Sequence, residues 1–253
     1  MISEWSTLSI AIIAAAIFLY GMSKTAMPVA GVVAGPVLAA VLTPGVASAF
    51  AIPLLLVGDI YALALYRSHV NWRLILRLIP GVLAGLLLTA FLFTVLSSAT
   101  LSRMLGVLIL ISVLLEVGRM RQNSDSEKAE DNSRVRVVKA GFFGVLAGMT
   151  SMAANAGGTA MSLYLINMRV STITFMGTSA WFFLFVNLTK VPLLINLDLL
   201  TTQTLLSGAW FVPAVIAGAA LGSVIFRHLP KIWFYRIALV LSSLAALWLL
   251  IHG

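Results

Sequence analysis

The sequence predicts an all-α polytopic membrane protein made of two inverted-topology repeats. Each repeat is a broken or re-entrant helix pair plus three transmembrane helices. Three observations predict it. Of the 253 residues, 61% are hydrophobic and only 9% are charged, with a mean hydropathy of +1.07; a soluble domain carries charge on roughly a quarter of its residues. Apolar runs recur along almost the whole length, without the polar/apolar alternation of an outer-membrane barrel. One strongly polar stretch, GRMRQNSDSEKAEDNSRVRVVK at 118–139, divides the chain into two apolar parts of similar length.

The elements follow in order. The first repeat, 1–117, has apolar segments near 7–20, 26–42, 46–66, 75–96 and 104–117. A cytoplasmic linker covers 118–136. The second repeat, 137–253, has segments near 137–149, 153–167, 172–195, 204–226 and 232–251. Segment 7–20 follows Glu4 with no basic residue before it. A secretory signal opens on basic charge and closes on a small-residue cleavage site, so this segment reads as retained. Segments 7–20 and 137–149 fall short of the ~20 residues that cross the hydrocarbon. They read as half-helices that enter, break and return to the same side, and the three longer segments of each repeat read as full spans.

The two parts echo each other. GMSKTAMPVAG (21–31) aligns without gaps with GMTSMAANAGG (148–158), matching at both terminal glycines and at Met22 and Met149. PGVLAG (80–85) aligns with PAVIAG (213–218), and Asp59 falls within a residue of the place that Asn187 occupies. Four matches in one order indicate a duplication. Lysine and arginine then fix its sense. If the 137–165 region crosses once, the basic residues outside the two buried lysines divide nine inside to five outside. If the break at 150–158 turns the chain back, Arg169, Arg227, Lys231 and Arg236 return inside and only Arg103 stays out, a split of thirteen to one. The positive-inside rule selects the second arrangement, with both termini outside and the second repeat inverted.

The formal charge of +8 needs no nucleic acid, because basic cytoplasmic loops produce it. There are no cysteines, hence no disulfide and no thiolate site. No P-loop, zinc helix or dinucleotide fingerprint is present, and His69, His228 and His252 flank segments rather than cluster. The chain therefore reads as no enzyme and as needing no cofactor or metal. Its expected partners are a small anion, the lipid bilayer of the cell membrane and, as an assembly, a second copy of itself.

The candidate site follows from residues that do not suit lipid. Asn155, Gly157 and Gly158 interrupt an apolar stretch in NAGGTAMSLY. Irregular backbone at membrane depth survives only where protein buries it or where it lines a wet cavity. Glycines let backbone N–H groups approach a ligand, and the helix that starts there directs its positive end into the gap. Pro28 suits the start of the facing helix. Gly81, Gly85, Gly218 and Gly222, spaced by four, read instead as helix contacts. Three charged residues lie inside the apolar runs, Lys24, Asp59 and Lys190, each costing about 2.5–3.5 kcal/mol at a helix centre on the insertion scale. Two lysines and one carboxylate leave one positive charge over, which a bound anion would neutralise. Two roles fit Lys190: an anion ligand, or a partner of Asp59 that holds helices. Two also fit Lys24: an anion ligand, or a side chain that reaches the interface. Asp59 is a proton-coupling candidate. Thr25, Ser151, Thr178, Asn187, Asn155, Gly157 and Gly158 complete the substrate-binding set with the two lysines.

Two parts of four to five segments, each opening with a Gly-rich break, resemble the TauE/SafE family of anion permeases, the sulfite exporters. In that family the break reads roughly Gly-Gly-Gly followed five residues on by Pro-x-Leu. The second repeat keeps Gly157 and Gly158, with Leu163 where the proline would stand; the first keeps Gly31, Pro36 and Leu38, with Val29 and Ala30 replacing glycines. GTS at 177–179 and the pair Asn187 and Lys190 also look family-like. The resemblance implies export of a small sulfur-containing or carboxylate anion, with sulfite and sulfonates such as sulfoacetate leading. The alternatives are an importer of another small carboxylate or sulfur anion, and a membrane scaffold subunit that transports nothing.

Overall fold

The computed structural model describes residues 5–28, 31–39, 41–42, 44–95 and 133–228, with isolated positions between 97 and 114 and between 233 and 251. The segments expected at 104–117 and 232–251, and most of the linker, lie largely outside the described residues. The elements are α1 (Thr7–Thr25), α2 (Gly31–Ala39), α3 (Pro44–Tyr66) with a 3-10 turn (Arg67–His69), and α4 (Trp72–Val95). The second part gives α5 (Ser133–Ala154), α6 (Gly157–Asn167), α7 (Thr172–Asn196), α8 (Thr202–Ala209) and α9 (Val212–His228). Ser6, Ser171 and Thr201 start α1, α7 and α8 by accepting the N–H three residues on at 3.1–3.2 Å, which satisfies a donor that the helix leaves free. Asn155, Arg169 and Asp198 stand at helix ends with φ of 52°, 52° and 54°.

Among the described residues, four helices are long and apolar enough to cross a membrane: Thr7–Thr25, Val46–His69, Trp72–Leu92 and Thr172–Asn196. α8 and α9, bent by 56° at their junction, make a fifth if taken as one span. This corrects the sequence reading of segment 7–20, which is part of the 19-residue α1. Segment 137–149 runs on into the 22-residue α5, but its apolar part, Val137–Ala153, remains shorter than a span. The short members are the second of each pair, α2 with 9 residues and α6 with 11. The expected segments stop at 20 and 149, and the helices run on past Gly21 and Gly148. In lipid a glycine inside a helix serves close approach.

That approach is visible at two crossings. α1 packs against α9, and α5 against α4. A side-chain carbon placed on Gly21 would run into the backbone of Val215; one on Gly148 would run into Val82. On the opposing helices, Gly218 faces the backbone of Phe18 and Met22, and Gly85 that of Val145 and Met149. In the alignments above, Gly21 matches Gly148, Val215 matches Val82, Gly218 matches Gly85 and Met22 matches Met149. The two crossings therefore use residues that align in the sequence, and each joins a helix before the polar stretch to a helix after it. α3 packs along α7 and sets Asp59 opposite Asn187; Leu54 on α3 and Phe182 and Val186 on α7 are buried.

Candidate functional site

The site grows from six helices and the break between α5 and α6. Asp59 is the sixteenth residue of α3 and has no solvent exposure. Its Oδ1 faces Lys24 Nζ, from the last turn of α1, at 2.7 Å. Its Oδ2 accepts from Asn187 Nδ2, on α7, at 2.6 Å. The lysine stem fits because Gly58 gives it room; a side-chain carbon there would lie 3.0 Å from Lys24 Cγ. Lys24 Nζ also stands 4.8 Å from the centre of the Phe183 ring, within the range in which a ring face attracts a cation.

Lys190 lies on α7 nearly one turn beyond Asn187 and is fully buried. Its ammonium donates to the Ser151 carbonyl at 2.7 Å, to Asn155 Oδ1, and at 3.5 Å to Ser151 Oγ. Asn155 in turn donates through Nδ2 to the Ser48 carbonyl at 3.2 Å. The break after α5 is thereby tied to α7 and α3 together. Asn155 takes the left-handed conformation that ends α5, a role asparagine fills when glycine does not; no described glycine has positive φ. α6 starts two residues later with no side-chain cap.

A small cavity, about 20 Å³ in volume, lies where these elements meet. That exceeds the ~10–15 Å³ a water molecule requires. Lys24, Ser151, Asn155, Gly158 and Asn187 line it, with Pro28 and Gly31 from the facing side. Asp59 and Lys190 sit directly behind that lining. Gly157 does not face the cavity: a side-chain carbon there would lie 2.9 Å from Ser151 Cβ and 3.0 Å from the Ala147 carbonyl, so it lets α6 press on α5. Thr25 and Thr178 lie elsewhere. Thr25 donates to the Ala219 carbonyl at 2.6 Å, while its own carbonyl accepts from Tyr66 at 2.9 Å. Thr178 accepts the Asn71 N–H at 3.0 Å, and Gly177 beside it admits the backbone of Tyr66 and His69. The GTS stretch thus fastens the loop between α3 and α4.

Sequence reasoning missed Tyr20, Ser23, Leu55 and Phe183, all of which line the cavity. Helical spacing held a signal for two of them. Tyr20 precedes Lys24 by four residues, and Phe183 precedes Asn187 by four, so each shares a face with a residue already singled out. Among the described residues no three His, Cys, Asp or Glu side chains gather as metal ligands would.

Two buried ammoniums, one carboxylate and a small cavity faced by one of those ammoniums can hold a small anion. A family model described as sulfite exporter TauE/SafE matches residues 13–249. The chain belongs to that family. It is an integral membrane protein of a transporter family. No curated protein and no solved structure gives a significant match to this TauE/SafE chain.

Proposed function

We propose that this protein is a secondary transporter that exports a small sulfur oxyanion, sulfite or a sulfonate such as sulfoacetate, across the cytoplasmic membrane. The observation that carries the reading is the buried cluster of Lys24, Asp59 and Lys190 around one small cavity. Its excess of one positive charge is matched by an anion. Lys24 meets the ligand directly, and Ser151, Asn155 and Asn187 supply polar contacts from the lining. Gly158 exposes the start of α6 to it. Lys190 holds Asn155 and Ser151 in place and adds its charge from behind. Gly157, Thr25 and Thr178 act at one remove, by fixing the elements that carry the lining. The family match supports the substrate class and the outward direction.

The reading makes a thermal prediction. A ligand that binds only the folded state raises its stability, by about 2.7 kcal/mol at a hundred times its Kd. Purified protein screened against sulfite, sulfoacetate, acetate and chloride should gain Tm with rising sulfite or sulfoacetate concentration. A flat response throughout is what a non-transporting scaffold gives. A response to acetate alone points to a carboxylate carrier instead.

The multi-pass arrangement follows the same reading: two inverted repeats, 1–117 and 137–253, around a cytoplasmic 118–136. The equivalent glycine crossings support it. So does the contact of Asp59 with Asn187, since residues near a two-fold axis meet their own counterparts. With single cysteines introduced at Ser6 and Ser124 in intact cells, an impermeant thiol reagent should label the first and spare the second. Labelling at Ser124, or the same result at both, contradicts the topology.

A further inference from the structure

We propose that Asp59 carries a proton that moves with the anion, and that its carboxylate stands in for the anion at Lys24 when the proton is absent. The inference rests on the anion site proposed above. Its starting point is how the cluster divides its contacts. Lys190 spends its protons on Ser151 and Asn155, whereas the lysine that lines the cavity, Lys24, is held by Asp59 at 2.7 Å. An anion entering the cavity therefore competes with Asp59 for the same ammonium.

Two anions at one buried lysine repel each other where solvent cannot screen them, and such pairs do not both stay ionised. Protonating Asp59 removes the conflict. The step is a proton transfer alone: as the carboxyl O–H bond forms, an O–H bond of a hydronium ion on the side from which the anion enters breaks and leaves water. Lys24 then turns to the incoming anion. On release of the anion the proton leaves, and the carboxylate recovers Lys24.

The neighbour of Asp59 suits both states. Asn187 donates through Nδ2 to the carboxylate at 2.6 Å. Turned over by half a rotation, the same amide presents Oδ1, which accepts from the protonated carboxyl. An amide serves as donor or acceptor at one place, which neither a carboxylate nor an apolar side chain does. The charged groups that face Asp59 are Lys24 from α1 and Lys190 from α7. α2 and α8, packed against α3, contain no ionisable residue. α5, also packed against it, carries Arg134, Arg136 and Lys139 in its first two turns, and the 3-10 turn carries Arg67 and His69. The buried face of α9 is Val215, Gly218, Ala219 and Gly222. Tyr20 lines the same cavity.

The experiment measures the affinity of the purified full chain for sulfoacetate, whose charge is constant between about pH 6 and 8, with sulfite in parallel. If one proton binds with each anion, wild-type affinity strengthens by up to about tenfold for each pH unit of acidification. Asp59→Asn, which fixes the uncharged state, should bind with little pH dependence and, at alkaline pH, more tightly than wild type. A flat wild-type profile overturns the proposal, and so does a wild-type slope retained in Asp59→Asn. If that variant does not fold, calorimetry of the wild type in two buffers of different ionisation heat counts the protons directly, and zero overturns the proposal. In either of these cases binding itself survives, and the anion site stands without coupling. Absence of binding by both probes at every pH removes the anion site and the coupling with it.

Discussion

Gly218→Val is expected to cost about 3 kcal/mol or more of folding stability, the upper range for overpacking, and to lower the yield of monodisperse protein. A side-chain carbon at Gly218 would stand 3.0 Å from the Met22 N and 2.9 Å from the Phe18 carbonyl carbon, and closer still to that carbonyl oxygen. These are backbone atoms of α1, so no rotamer change relieves the clash. The helices must separate, and with them goes the close packing that holds apolar helices together in lipid. Gly85→Val should cost a similar amount, because Gly85 meets Val145 and Met149 in the same way. Gly141→Ala is the control: nothing lies within 4 Å of the added carbon, and alanine favours helix over glycine by roughly 0.5–1 kcal/mol. Thermal unfolding of the three variants checks this, and equal stability of Gly218→Val and Gly141→Ala would contradict it.

The same glycines show what the sequence could and could not reveal. Gly81, Gly85, Gly218 and Gly222 were legible as contacts because four-residue spacing puts them on one helix face. Gly21 has no glycine four residues away, and Gly148, which has one in Gly144, falls at the end of its expected segment, 137–149. What distinguishes a helix-ending glycine from a crossing glycine is the opposing backbone, which lies far away in sequence. The ends fell instead at Thr25 and Ala154, and at the second the left-handed residue is Asn155.

The charged core of the site was legible for an energetic reason. A lysine or aspartate in a lipid-depth run is costly enough that its presence demands a partner, so Lys24, Asp59 and Lys190 stand out from a single sequence. Their pairing did not. Lys190 seemed equally able to hold Asp59, yet it turns to Ser151 and Asn155 while Lys24 takes the carboxylate. That choice depends on where the α5–α6 break sits beside α7, which no spacing rule supplies. Tyr20, Leu55 and Phe183 were hidden for the opposite reason, since an aromatic or leucine in an apolar run carries no cost that calls for explanation. Thr178 was read for its polarity, and its hydroxyl is taken up by the Asn71 N–H.

The second large effect concerns Lys24. Among the described residues its ammonium is the only lysine nitrogen at the cavity lining, and its removal also leaves Asp59 buried without its ion-pair partner. Breaking a buried pair from one side costs about 3–5 kcal/mol where the remaining group stays charged, so Lys24→Ala should lose stability as well as affinity. Charge-assisted contacts contribute about 1.5–3 kcal/mol, and sulfite affinity should fall roughly tenfold to 150-fold. The loss of stability alone would fit a lysine that only holds helices together. Affinity separates the two roles.

The most direct measurement is therefore the equilibrium affinity for sulfite of wild type and of Lys24→Ala, each taken on the fraction shown to be folded by its own melting curve. An anion site built on Lys24 predicts that the folded variant binds sulfite at least roughly tenfold more weakly than wild type. Equal affinity in the folded variant would contradict it, and would return Lys24 and Asp59 to the work of joining α1 to α3.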